Sequence, residues 1–547
     1  MIWLNQLASR FEALLGQLRF TIGGATFILG FAAVNALLSH LTLYSYAVKE
    51  LVPLSLFGVL TLLTLFVIIM LMTGAVLFLF ALVSQHLLKP LLMFIVFGNA
   101  VALYFVQAYQ VVLDKTMMGN VFNTNFAEAS SYLHWSFLSH LLLFGVLPVW
   151  LISRITLRHT PRLRIAGALL LSLLLCFGWL YANANNWLWI DKHASKLGGM
   201  IMPWSYVINS ARYQTEKAKP SRVLALLPAA HFARQGKTVV VLVIGESARA
   251  ANFSLYGYAR PTNPQLAEAG AIALRNARSC STYTTASLQC MLSHTDTSSK
   301  LFHNEEALPS YLQRHGIDTI WLSKNWGEPP LKVQTYLRSA ELRDSCQGVG
   351  CNFDEVLLSG LAQRIASSAS DKIFVVLHQF GSHGPNYFKH YPPDMEKFTP
   401  VCRSVQLQDC TPESLVNAYD NTILYTDHFL AKTIQILRAV PDAATMMMYA
   451  SDHGESLGEF GLYLHGTPYT LAPDVQKDIP YIVWMSEVFK QHKTLSAGAA
   501  LEQARHAHQT IFHSIMGAFD MRSEIYNPQL DIFADARSNR KQGTLSR

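Results

Sequence analysis

Charge is what this chain has least of. Asp, Glu, Lys and Arg make up 14% of its 547 residues, against about 25% in an ordinary soluble protein, and the shortfall is concentrated at one end. Residues 1–183 hold nine Lys and Arg and four Asp and Glu, whereas the remainder holds 34 and 32. The net charge of +7 is therefore not massed on a soluble surface, which excludes the basic footprint of a nucleic-acid-binding protein. Cysteine is scarce too. Seven are present and no two are spaced as C-x2-C, which argues against a zinc site built from four thiolates. Internal repeats and low-complexity tracts are absent.

In place of charge, the first third has long apolar runs. Stretches near 20–41, 56–83, 90–111, 133–153 and 165–183 each approach the ~20 residues that cross a bilayer. Residues 1–183 thus read as a membrane domain of five helices. Between the spans the basic residues are uneven: Arg10, Arg19, Lys89, Arg154, Arg158, Arg162 and Arg164 fall on one side, Lys49 and Lys115 on the other. The positive-inside rule places the N-terminus in the cytoplasm and everything after 184 outside. The first apolar stretch has no A-x-A-like site behind it, so it reads as an anchor and not a cleaved leader.

Cysteine usage bears on the same topology. Cys176 lies within the fifth span as a small apolar residue. The other six fall after 184, as the near neighbours Cys280/Cys290, Cys346/Cys351 and Cys402/Cys410. Six cysteines allow fifteen pairings, with neighbour pairing favoured by proximity. An even set confined to the external part fits an oxidising compartment.

Residues 184–237 form a connector rich in Trp (187, 189, 204) and Tyr (206, 213), with Lys192, Lys196, Lys217 and Lys219. Such residues suit the headgroup level of a membrane. From 238 to 547, β-like runs alternate with helical stretches such as 308–315 and 414–440, which argues for a mainly parallel sheet covered by helices on both faces. In the loop between the third and fourth spans, Asn120, Thr124 and Glu128 recur four apart and would share one helix face, either as a solvated surface or as a contact for a lipid headgroup.

Three apolar β-like runs end in potential metal ligands: 238–245 runs into Glu246, 373–377 into His378 with His383 beyond, and 444–450 into Asp452, His453 and Glu455. Open α/β sheets bind ligands at the carboxyl ends of their strands. Carboxylate and imidazole together suit zinc, and Glu459 and His465 lie close in sequence. Between the first two runs, CSTYTTASLQC (280–290) is packed with hydroxyls: Ser281, Thr282, Thr284, Thr285 and Ser287. A hydroxyl becomes a useful nucleophile near neutral pH when a base or metal activates it, and a helix N-terminus favours an incoming phosphate.

Gly-Glu-Ser (245–247), the Cys280–Cys290 bracket, GSHGP (381–385), AYDNT (418–422) and SDHGESLGE…YLHGTP (451–468) together resemble the phosphoethanolamine transferases of Gram-negative inner membranes. That family includes lipid A-modifying and mobile colistin-resistance enzymes. The resemblance covers essentially the whole chain. It implies an α-helical five-span membrane domain joined to an α/β/α periplasmic domain of the alkaline phosphatase/sulfatase superfamily. It implies zinc held by Glu246, Asp452, His453 and a nucleophilic threonine, and selects Thr284 over Thr285. His383 and His465 would bind substrate phosphate or a second zinc, and His378 would be structural. Asn325, Asn120, Thr124 and Glu128 match substrate-binding positions, and the six external cysteines match the family's disulfides.

The implied activity is that of a monomeric enzyme. It would take phosphoethanolamine from phosphatidylethanolamine and pass it through a covalent threonine intermediate to lipid A of lipopolysaccharide, conferring resistance to polymyxin and other cationic peptides. Two departures bear on the acceptor. SKNWGEPPLKV (323–333) replaces an Asn-rich stretch with a Cys, and SLQCM stands where lipid A-type members carry SVPCM, a form closer to relatives acting on the Kdo sugar. A phosphoglycerol transferase and a non-enzymatic peptide or lipid sensor are the alternatives. The C/S-x-P-x-R segment of type I sulfatases is missing.

Overall fold

Runs of eight residues without a charge, such as TVVVLVIG and ATMMMYAS, suit only a strand buried on both faces. The computed structural model builds its soluble half around them. It describes residues 20–51, 55–124, 129–130, 132–217, 224–295, 305–493 and 506–534. Arg10, Arg19, Glu128 and Lys219 lie outside the described residues, as do the side chains of Trp187 and Lys217. The chain forms two compact units, Met1–Gly119 with Asn125–Tyr213, and Asn120–Thr124 with Gln214–Arg547.

The first unit opens with strand β1 (Phe20–Gly23), parallel to β2 (Ile155–Arg158). Its helices are α1 (Gly24–Leu38), α2 (Leu41–Glu50), α3 (Leu56–Val83), α4 (Leu88–Tyr109), α5 (Trp135–Arg154) and α6 (Arg162–Ala182). The last four are long and apolar enough to cross a membrane; α1 and α2, bent by 52°, make a fifth span if counted as one. The sequence predicts a single run over 20–41, and the break falls at Ser39–His40. There the His40 ring bonds the Asn35 carbonyl at 2.9 Å and accepts from the Met202 N–H at 3.0 Å. Leu163 (85% exposed) and Phe177 (67%) on α6 present bare apolar surface, as expected where lipid is the solvent.

Aromatic residues after 184 find partners within this unit. Trp204 Nε1 donates to Thr73 Oγ1 at 3.1 Å, and the Tyr206 hydroxyl donates to Asn99 Oδ1 at 2.9 Å. The helix carrying Asn120 runs Lys115–Asn123. Thr124 lies just past its end, with its hydroxyl on the Asn120 carbonyl at 2.9 Å.

The second unit is a seven-stranded sheet: β3 (Thr238–Gly245), β4 (Ile272–Ala273), β5 (Asp318–Ser323), β6 (Thr335–Arg338), β7 (Lys372–His378), β8 (Ala444–Ser451) and β9 (Tyr481–Met485), in the order β4-β9-β8-β3-β7-β5-β6. Neighbours from β8 to β6 are parallel, while β9 runs antiparallel to both β8 and β4. The first strand, β3, is central. Among the parallel strands, those on the side from β7 to β6 come next and β8, on the other side of β3, comes last, so the strand order reverses at β3, where this class of sheet opens a crevice.

Side chains alternate along each strand. Val240, Leu242 and Ile244 enter one core with Phe374, Val376, Met446 and Met448. That core is covered by α7 (Thr284–Met291) through Leu288 and Met291 and by α9 (Gln509–Ala518) through Ile511, Phe512 and Ile515. Between them in sequence lies α8 (Pro412–Arg438), which starts with Thr411 Oγ1 accepting from the Ser414 N–H at 3.2 Å and with a proline in its first turn, both good helix-starting features. Disulfides join Cys280 to Cys290, Cys346 to Cys351 and Cys402 to Cys410, and Cys176 is free and buried.

Past β8 the sequence suggests that Gly454 serves a turn. The structure gives a different reason for glycine: a Cβ there would lie 2.0 Å from the Val475 carbonyl oxygen. Gly454→Ala should therefore cost about 1–3 kcal/mol through overpacking, measured as a lower Tm of the purified protein. Replacing Cys402 and Cys410 by serine opens a link of sequence separation 8 and should cost about 2 kcal/mol, visible in the same melt.

Candidate active site

Strands β3, β5, β7 and β8 all end at the same edge, and the segments leaving them bring the polar side chains together. Glu246 follows β3 and is 1% exposed. A charge so deeply buried needs partners, and it has four. Its Oε2 accepts from the Thr284 hydroxyl at 3.1 Å and from Asn325 Nδ2 at 2.7 Å. Its Oε1 accepts from the Ser247 hydroxyl at 2.8 Å and lies 3.2 Å from His453 Nε2.

Ser247 takes a left-handed backbone, φ 54°, rare for a residue with a side chain. That turn aims its N–H at Asp452 Oδ1, 3.1 Å away. The Tyr419 hydroxyl from α8 fixes it by donating to the Ser247 carbonyl at 2.7 Å and accepting from the Arg249 N–H at 2.9 Å.

Asp452 and His453 are fully buried, with Asp452 Oδ2 3.3 Å from His453 Nε2. His453 Nδ1 donates to the Gly454 carbonyl at 2.9 Å, which turns Nε2 toward the carboxylates. Asp452 Oδ2 and His453 Nε2 make no hydrogen bond. Two buried polar atoms without such partners, converging with a carboxylate, suit a divalent cation, whose imidazole ligands are oriented through the other ring nitrogen. Single ligand atoms of Glu246, His453 and His465 lie within 4.8 Å of one another, so His465 joins this cluster.

The electrostatics fit the same reading. Burial would raise the Glu246 carboxyl, but the imidazoles of His453, His383 and His465 hold it well below the usual carboxylate range. Burial and the neighbouring Glu246 charge push Asp452 well above that range. Burial would lower His453, and Asp452 and Glu246 overcome it, raising it to about 10. A cluster that holds protons between close carboxylates and an imidazole is one from which a bound cation releases them.

Thr284 opens α7, with its hydroxyl turned to Glu246. Gly381, at φ 55°, lets the loop after β7 pass over this site, since a Cβ there would lie 2.8 Å from the Glu246 carbonyl oxygen. The loop delivers His383, whose Nδ1 meets the Gly384 carbonyl at 2.8 Å and whose ring stands 5.3 Å from that of His465. Burial first, and the charge of His453 second, lower the pKa of His465.

His378 is fully buried, with Nδ1 3.2 Å from Ser323 Oγ and its ring edge-on to Trp321. Burial lowers it. The second metal-capable trio, Cys280, Cys290 and His508, has its sulfurs committed to a disulfide.

For several contributors the structure supplies a role that the sequence does not. In the sequence Ser247 stands out only within Gly-Glu-Ser (245–247), and the structure places it at the turn that follows the strand-end carboxylate. Glu455 orients His465 at 2.8 Å while accepting from Tyr387 at 2.6 Å. Glu459 is taken by Arg249 at 2.5 Å. Both Nδ2 bonds of Asn325 are spent, on Glu246 and on the Gln379 carbonyl at 3.0 Å, which makes it a holder of Glu246.

Residues 238–521 match the Sulfatase family model, and residues 69–218 match the model described as Phosphoethanolamine transferase EptA/EptB. The chain is 39% identical to phosphoethanolamine transferase EptA of Helicobacter pylori, over 92% of this chain and 95% of the relative. It is 33% identical to phosphoethanolamine transferase EptA of Escherichia coli K12, over 82% and 86%. Among solved structures it resembles the integral membrane protein lipooligosaccharide phosphoethanolamine transferase A from Neisseria meningitidis, with a TM-score of 0.86 and 28% identity over 94% of this chain and 99% of that one. The likeness runs through the helical unit and the sheet alike, and the chain belongs to the phosphoethanolamine transferase family, enzymes whose soluble unit is built on the sulfatase fold.

Proposed function

We propose that this enzyme moves phosphoethanolamine from phosphatidylethanolamine to a lipid A phosphate of lipopolysaccharide by way of a phosphoethanolamine ester on Thr284. The observation that carries this reading is the Thr284 hydroxyl, first in its helix and 3.1 Å from Glu246 Oε2, beside a cluster suited to a cation. Glu246, Asp452, His453 and the Thr284 hydroxyl would hold a zinc ion. When bound, zinc makes the hydroxyl more acidic and offsets charge on the phosphoryl oxygens.

In the first step Thr284 Oγ1, its proton released to solvent, attacks phosphorus. The bond from phosphorus to the diacylglycerol oxygen breaks, and that oxygen takes a proton from the His383–His465 pair. In the second step an oxygen of a monoprotonated lipid A phosphate attacks the same phosphorus. The Thr284 ester bond breaks, Thr284 regains a proton from solvent, and the acceptor's proton restores the imidazole pair. Asn325 and Ser247 keep Glu246 aimed throughout. The α7 N-terminus favours the phosphate, while Asn120, Thr124 and Glu128 serve the lipid donor.

The chain would lie in the inner membrane as a monomer, with a cytoplasmic N-terminus, five spans over 1–183, a surface connector over 184–237 and a periplasmic catalytic domain over 238–547. Adding an ammonium group beside each modified phosphate weakens the attraction of cationic peptides such as polymyxin.

Two measurements test this. Mass spectrometry of lipid A and core from cells expressing wild type should show one phosphoethanolamine increment on a lipid A phosphate, absent with Thr284→Ala. An increment on Kdo changes the acceptor, a phosphoglycerol increment changes the donor, and an increment retained by Thr284→Ala refutes the nucleophile. Elemental analysis should find zinc bound by wild type, with occupancy at least about tenfold lower in Asp452→Asn and His453→Ala at unchanged folding by circular dichroism.

A further inference from the structure

The segment leaving β5 touches the site twice within three residues. Asn325 bonds Glu246 at 2.7 Å. Gly327, at φ 100°, lies so close to α7 that a Cβ there would be 3.3 Å from Thr285 Oγ1 and 3.5 Å from Thr284 Cγ2. Trp326 stands between these two anchors, its N–H on Asn325 Oδ1 at 2.9 Å. Its indole is therefore placed by the same residues that place the nucleophile and the carboxylate. The ring centroid is 5.9 Å from His383 and 6.0 Å from Phe380, and Phe380 is 5.2 Å from His383.

Trp326 and Phe380 are both only half-buried. Nearby aromatic faces are covered by the chain's own cations, Lys324 over Phe353 and Arg338 over Tyr336. Among the described residues no lysine or arginine covers Trp326 or Phe380. The carboxylates around them are already engaged: Glu246 and Asp452 within the cation cluster, Glu455 with Tyr387 and His465, Asp354 with Lys324 and the Phe380 and Gly381 N–H groups, and Glu328 with Arg338 and Tyr336. A cationic group entering beside His383 would meet π faces.

The geometry points to Trp326 and Phe380 as the subsite for the primary ammonium at the end of the transferred group. This rests on the phosphoethanolamine-transfer reading above and adds to it the residues that choose the headgroup. The phosphate is met by the imidazoles and the cation cluster, which make no contact that distinguishes one headgroup from another. A two-carbon arm then carries the ammonium to the indole and phenyl faces, where cation–π attraction favours it over an uncharged end of equal size. A donor lipid with a neutral headgroup would lack that contribution.

The test uses the full-length, zinc-loaded enzyme in detergent and calorimetric Kd values for two probes of matched length, O-phosphoethanolamine and propyl phosphate. Wild type should favour the first by about tenfold. Trp326→Leu should bring the ratio near one while leaving propyl phosphate within about twofold, and Trp326→Phe should keep part of the preference. Where Trp326→Leu folds poorly, Phe380→Leu reads the same ratio. A preference unchanged in these variants, equal weakening of both probes, or no preference in wild type overturns the inference. If wild type places phosphoethanolamine on its acceptor in cells yet shows no preference between probes, the subsite alone fails. If it transfers none, the underlying reading fails.

Discussion

One buried carboxylate holds the catalytic unit's purpose together. Glu246 sits at the end of the central strand, nearly sealed from water, and is tolerable there only because Thr284, Asn325, Ser247 and His453 surround it. Those partners come from α7, from the segment after β5, from the turn after β3 and from the segment after β8. Satisfying this one charge therefore brings four distant parts of the sequence to a common point. Removing any partner leaves a buried charge short of a contact, which is costly in a low-dielectric interior.

Much of this was legible in the sequence because the strands are buried on both faces. An apolar run of that kind cannot be an edge or a surface helix, so β3, β7 and β8 declared themselves, and the polar residues following them had to lie at one edge of a parallel sheet. The membrane helices were visible for the analogous reason that lipid demands apolar length. What stayed hidden was set by tertiary contact. Nothing local says that Asn325 spends both its amide hydrogens on holding a carboxylate, or that Tyr419 pins the turn at Ser247 from a helix more than 160 residues away. The bend at His40 was likewise invisible, since an apolar run does not reveal a ring that bonds back to the helix and across to Met202.

The two units follow different physical rules. In the first, polar side chains inside apolar helices find one another or a backbone group: Asn35 with Asn99 at 2.7 Å, Trp179 with Thr64 at 3.1 Å. In the second, many buried polar groups are tied into networks, and one of these is the candidate active site.

The sheet register has a further consequence. Gly245 is paired with Ser451, and Ile244 with His378, so the backbone positions from which Glu246, Asp452 and His453 emerge are locked by ladder hydrogen bonds before any ligand arrives. Rigid scaffolding of this sort separates two evolutionary problems. The chemistry is anchored in the sheet and in the loop residues that touch it, such as Asn325, while loop positions that hold none of the centre, such as Pro329 and Pro330, can be rewritten to suit a new lipid surface without disturbing it.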